Sequence, residues 1–224
     1  MTTTNDTLTP DLTSYRTVHQ CLRVAAHRMA GAAASAAPGD LRRAAALARY
    51  WKGYAGEVLA HHTIEDAIFF PALVERVPVA ADLIGRTDKD HDHLDHLMEE
   101  IGGAMTAWAA GGDTARVAPL LADLAEHMDA HLGFEDEDIL PLFERHFTAT
   151  EYAALDDEAL KHLGLGKQAA FTIPFVMFWV DDARRAEMLD GAPLPLKVLW
   201  WATRRGHARL ADAALGDLAR PEAA

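Results

Sequence analysis

Several things are scarce in this chain, and each scarcity removes a class of protein. Its single cysteine, Cys21, excludes an intrachain disulfide framework and fits a reducing compartment. Basic residues are outnumbered: 21 Lys and Arg stand against 34 Asp and Glu, a formal net charge of −13. Nucleic acid and anionic membrane surfaces both call for basic patches, so neither is an expected partner. No apolar run reaches the roughly 18 residues that a spanning helix needs. The opening stretch, MTTTNDTLTPDLTSY, has neither the basic start nor the apolar centre of a signal peptide. A cytoplasmic protein is the expectation. β-Branched runs are also scarce while alanine and leucine dominate, which favours an all-α fold.

What is there is a set of helical seams. Half of the 224 residues are hydrophobic, enough for one large domain or one domain with an extension. Residues 1–10 read as a disordered arm. A first helix is expected over Leu12 to Ala37, with Leu12, Tyr15, His19, Leu22, Ala26, Met29 and Ala33 on its seam. Pro38-Gly39 breaks it, and Asp40 is placed to cap the second helix. That helix carries Leu47, Trp51, Tyr54, Val58, His61, Glu65, Ile68 and Ala72, with Pro71 kinking its end. After a connector from Pro78 to about Arg86, a third seam reads Thr87, His91, Leu94, Met98, Ile101, Met105, Trp108. Gly111-Gly112 ends it, Asp113 is a candidate cap, and the fourth reads Val117, Leu121, Leu124, Met128, His131, Glu135, Asp138, Leu142. Four long helices with short connections predict an up-down-up-down four-helix bundle over residues 11–147. Residues 148–224 read as an extension of short helices, opened by a capping box at Thr148 to Glu151.

The bundle is organised around a stretch that occurs twice: HHTIEDAIFFP at His61 to Pro71 and HLGFEDEDILP at His131 to Pro141. Each places a Glu four residues after a His, then an acid, and a Pro at the same offset. Positions i and i+4 share a helix face, so His61 pairs with Glu65 and His131 with Glu135. With His19 and His91 at matching depth on the other two helices, four histidines and two glutamates meet in one core. Buried carboxylates are costly unless paired or coordinated, so packing is a poor account of them. Two occurrences suggest two metals or two halves of one binuclear site. Nitrogen and oxygen ligands without thiolate point away from structural zinc and toward a pair of iron or manganese ions, with Glu65 and Glu135 as bridges. Iron is the better choice for redox chemistry. Two further histidines are weaker candidates: His62, turned about 100° from His61, and His127, one turn before His131. Glu57 and Tyr54 could line the pocket, although a core aromatic is the simpler reading of Tyr54.

His19 in VHQCLR, His91 in DHDHLD and the two repeated stretches together resemble the hemerythrin-like HHE cation-binding domain, over about residues 10–147. The resemblance implies a four-helix bundle holding two non-haem iron ions bridged by oxo or hydroxo and carboxylate groups, with manganese as the alternative. It implies a small oxidant as ligand: oxygen, peroxide or nitric oxide. The oxygen carriers of that family have five histidines, two of them four apart on the third helix, where this chain has Asp95. They also place the last carboxylate five residues after its His, whereas Glu135 is four after His131. Two equivalent halves are therefore expected, with open positions on both metals, which favours peroxide, nitric oxide or redox chemistry over reversible oxygen carriage. Peroxide disproportionation is one enzyme class this allows, but no residue argues for a dedicated acid or base. Iron storage, delivery or sensing is the alternative.

The extension holds Phe171, Phe175, Phe178, Trp179, Trp200 and Trp201, flanked by Arg184-Arg185 and Arg204-Arg205. Packing across the bundle or a homodimer mate is preferred over a membrane-surface or partner-docking element. An interaction module acting through this aromatic segment is a third reading of the function.

Overall fold

The computed structural model describes residues 9–164 and 166–219. Most of the expected N-terminal arm lies outside the described residues. The protein is all-helical, with no strand among the described residues, and no described helix is long and apolar enough to cross a membrane. Helices α1 (Thr13–Ala34), α2 (Leu41–Ile64), α4 (Ala81–Ala109) and α5 (Val117–Phe134) carry the predicted seams. Helix α1 packs on α5, α2 on α4, and α4 on α5.

Local chemistry explains most boundaries. Helix α1 stops at Ala34, short of the expected Ala37. Its last turn tightens as Ala36 donates to the Ala33 carbonyl, and the residue before Pro38 disfavours helical geometry. Gly39 adopts a positive φ of 79°, and Asp40 caps α2 by accepting from the Arg43 N–H at 3.0 Å. Helix α4 begins earlier than expected, because a single 3₁₀ turn at Pro78–Ala80 leads directly into it. Asp113 does not cap α5. It accepts from the Ala115 N–H in the preceding turn, and Arg116 stands at the cap position without a side-chain bond.

The repeated stretches do something the seams alone do not predict. Each contains one π-helical turn, Glu65–Phe69 and Glu135–Ile139, in which the N–H of Phe70 reaches the Glu65 carbonyl and that of Leu140 the Glu135 carbonyl. Pro71 and Pro141 follow at the start of two short helices, α3 (Phe70–Arg76) and α6 (Leu140–His146). There the missing proline N–H costs nothing. Instead of a proline kink, the chain has a π turn that rotates the next residues by one position.

Two apolar clusters fill the interior. One includes Leu22, Val58, Leu94 and Met128; the other includes Tyr15, Phe69, Ala80 and Ile139. Along the chain each of the four seam histidines lies between a residue of one cluster and a residue of the other. The histidines therefore occupy a polar layer sealed on both sides.

Helix α7 (Ala149–Leu163) opens with the predicted capping box: Thr148 N–H donates to Glu151, and Glu151 N–H donates to the Thr148 hydroxyl. Helix α8 (Ala169–Trp179) includes Pro174 and docks tightly on α2. Gly53 permits the approach, since a Cβ there would stand 2.2 Å from the Phe171 ring. Trp179 donates to the Tyr50 hydroxyl at 3.1 Å. After α9 (Asp182–Gly191), α10 (Leu194–Leu215) lies along α2 and α8. Phe175, Trp179 and Leu215 join the same apolar cluster as the seams of α1 and α2, so the extension and the bundle share one core. Trp201 remains exposed.

Candidate metal centre

Four histidines and two glutamates from α1, α2, α4, α5 and the two π turns meet in the polar layer, all buried: His19, His61, Glu65, His91, His131 and Glu135. A seventh side chain joins them. His62 is buried and its ring stacks on that of His91, with centroids 3.8 Å apart. The side chains divide into two sets close enough to hold an ion each: His19 and His61 with Glu65 and Glu135, and His62 with His91 and His131.

The carboxylates lie between the sets. Glu65 places Oε1 at 3.0 Å from His61 Nε2 and 3.9 Å from His19 Nε2, while its Oε2 is 3.7 Å from His91 Nε2. Glu135 places Oε2 at 3.4 Å from His19 Nε2, and its Oε1 is 3.6 Å from His131 and 3.9 Å from His91. Each carboxylate thus turns one oxygen toward each histidine set.

Whether these residues fit a cation is decided by what they lack. His19, His61, His62, Glu65, His91, His131 and Glu135 each present a buried nitrogen or oxygen with no hydrogen-bond partner. The 3.0 Å approach of His61 to Glu65 is close, but it is not directed as a hydrogen bond. Buried polar atoms are almost always satisfied, and here unsatisfied ones converge on one layer. Lone pairs aimed at a common centre, with no sulfur, are the donor set of a hard or borderline cation.

Protonation follows the same logic. Burial, then its neighbours His91 and His61, pulls His62 well below the ordinary imidazole range, and burial brings His131 down to about 3. Both are neutral and offer lone pairs. Burial also lowers the proton affinity of His91, but the nearby carboxylates of Asp66 and Glu65 outweigh it and raise the group. Burial and the charge of Glu65 push Glu135 well above the carboxylate range. Burial pushes Glu65 the same way, but His61 and His19 override it and hold the group well below that range. A bound cation would favour the deprotonated form of both carboxylates.

The acids after each glutamate support the histidines of the other half. Asp136 accepts from His19 Nδ1 at 2.9 Å and from Arg23 at 2.7 Å. Asp66 stands 3.4 Å from His91 Nδ1. Fixing Nδ1 of His19 turns its Nε2 inward. The Tyr15 hydroxyl, also buried, donates to Glu65 Oε1. The acid in both repeats was the available signal for Asp66 and Asp136. Tyr15, one turn before His19, reads as an ordinary apolar seam residue and was not singled out. His127 does not reach the layer: it is half-buried, bonds within its own helix to the Asp123 carbonyl and lies against His93. Tyr54 donates to the Leu22 carbonyl as a core aromatic. Glu57 is buried and accepts from the Thr172 hydroxyl.

A family model for the hemerythrin HHE cation-binding domain matches residues 12–143. The chain belongs to the hemerythrin HHE family. The match spans both repeats and all seven converging side chains. Searches of curated proteins and of solved structures returned no match. Against the expected equivalence of halves, this hemerythrin-like chain is lopsided, with two histidines in one set and three in the other. Where the oxygen carriers have a second His on the third helix, Asp95 is exposed, and His62 from α2 stacks on His91 instead.

A cavity of about 340 Å³ reaches the two-histidine set. Tyr15, His61, Glu65, Glu57 and Thr172 line it, together with Asp156 and Leu160 of α7.

Proposed function

We propose that the protein is a non-haem di-iron protein that binds, senses or reacts with a small oxidant (oxygen, peroxide or nitric oxide) within an up-down-up-down four-helix bundle. His19 and His61 would hold one iron and His62, His91 and His131 the other, with Glu65 and Glu135 shared. The observation that carries this reading is the convergence of buried, unpartnered nitrogen and oxygen atoms on one layer, with each carboxylate turned toward both histidine sets. Family membership and the absence of sulfur among the donors favour iron, with manganese next.

When bound, the ions would supply redox chemistry and ligand positions that the protein leaves free. The chain's own residues decide where those positions are. The two-histidine set has one nitrogen fewer, and it is the set that borders the cavity. Asp136 and Arg23 hold His19 in register, and the Tyr15 hydroxyl holds Glu65 at the cavity wall. The largely apolar lining suits a small uncharged or singly charged molecule better than a metabolite with several polar groups.

Protein purified without oxygen should contain two irons per chain, with an optical spectrum that changes on adding oxygen and then peroxide. A folded, metal-free and spectrally silent chain that resists reconstitution would overturn the proposal. Iron handling would be favoured instead by ready metal loss coupled to unfolding. A homodimer through the extension would use the exposed side of α10, where Leu194, Val198 and Trp201 lie, and sedimentation equilibrium tests it.

A further inference from the structure

A second cavity, of about 410 Å³, opens between α8 and α10, among the residues of the extension. Its apolar lining comes from Pro174, Met177, Phe178 and Trp200. Its charged lining is all of one sign: Arg185, Arg204 and Arg205, with no Asp or Glu. In a chain with a net charge of −13, three arginines around one hollow require an explanation.

The three have different duties. Arg185 is fully engaged: its guanidinium donates to the Met177 and Val180 carbonyls at 2.6 and 2.8 Å and pairs with Asp182. It is a fixed positive wall. Arg204 lies over the Trp200 ring, 4.7 Å from its centroid, an arrangement that orients the guanidinium without using its N–H groups. Its Nε is shielded from solvent and has no hydrogen-bond partner. Arg205 is exposed and forms no ion pair among the described residues. Two planar, unneutralised forks beside an apolar hollow match a carboxylate or phosphate carried on an apolar body.

We propose that this cavity is a binding site for a small amphiphilic organic anion. The apolar body sits on Met177, Phe178 and Trp200, and the anionic head is held by Arg204 and Arg205. The site is separate from the metal layer, and it stands or falls independently of the metal reading.

The test is calorimetric titration of the full-length chain with octanoate, 1-octanol and inorganic phosphate. Octanoate should bind saturably, one per chain, and at least about tenfold more tightly than either partial ligand, given the strength of a charged hydrogen bond. Arg204→Gln combined with Arg205→Gln should weaken octanoate about tenfold or more and leave octanol unchanged. Arg205→Gln alone, at an exposed and unpaired position, keeps the fold and should give a smaller loss in the same direction. Absence of saturable octanoate binding overturns the proposal. So does octanol binding as tightly as octanoate, phosphate binding as tightly as octanoate, or a double variant that binds octanoate like the parent.

Discussion

Replacing Asp136 with asparagine removes one negative charge and leaves the shape of the side chain nearly intact, so it isolates what the carboxylate does for His19. Two contacts are at stake: His19 Nδ1 at 2.9 Å and Arg23 at 2.7 Å, around a side chain only one-fifth exposed. An asparagine can still accept from one of them through its carbonyl, but it no longer raises the basicity of the ring. Residues that orient a metal-binding histidine in this way typically contribute 10- to 100-fold to metal affinity, and the short, partly buried contacts place Asp136→Asn within that range. Asp66→Asn is the internal comparison. Asp66 occupies the equivalent position but is half-exposed and 3.4 Å from His91 Nδ1, where solvent screens the interaction, so about a threefold loss is expected. Competition between the protein and a chelator for iron(II), without oxygen at pH 7, measures both. Equal losses for the two variants, or unchanged affinity in Asp136→Asn, would refute the argument that Asp136 sets the orientation of His19.

On the proposed di-iron reading, His62→Ala should lower retained iron from two per chain toward one under the same chelator challenge, and full retention would remove His62 from the proposed ligand set. Gly53→Ala puts a methyl group 2.2 Å from the Phe171 ring and should destabilise the protein by about 1–3 kcal/mol as α8 is forced off α2, read by urea denaturation. Asp156 gives a pH dependence: burial, then the charge of Asp11, raises its carboxyl to about 6. A folded-state pKa above the unfolded one means that the folded protein binds the proton more tightly. Stability is therefore greatest below the unfolded value and declines as pH rises through about 6. Asp156→Asn should stabilise by about 1 kcal/mol at pH 8, after discounting for solvent screening, and by much less at pH 4. Urea midpoints at the two pH values check it.

The helices and the converging histidines and glutamates were legible because both depend on spacing. His61 with Glu65, and His131 with Glu135, need only a 3.6-residue period to share a face, and their match to His19 and His91 follows from comparable helix lengths. His62 was harder. On an ideal helix it points about 100° away from His61, and nothing local says that α4 presents His91 on that side. Tyr15 was hidden for the opposite reason: it fits the apolar seam so well that its hydroxyl draws no notice until Glu65 is seen beside it. The π turns were not legible at all. Pro71 and Pro141 mark a disturbance in the helix but not its kind, and the i to i+5 bond depends on the tertiary position of each glutamate.

The π turns and the asymmetry belong together. Two repeats with the same His-to-Glu spacing, the same following acid and the same π turn generate a nearly two-fold frame, in which Asp136 serves His19 and Asp66 faces His91. The residues that break the symmetry are few. The position after the ligand histidine is His62 in the first repeat and Leu132 in the second, both buried. One turn before the lone histidine of each first helix stands Tyr15 in one half and Thr87 in the other. Thr87 turns its hydroxyl to its own helix, at the Leu83 carbonyl, whereas Tyr15 reaches Glu65. One half therefore gains a nitrogen and the other a phenol. The cavity opens on the half with the phenol, which has two histidines against three in the other. A duplicated frame supplies one buried layer with two sets of donor side chains, and His62 and Tyr15 make its halves unequal.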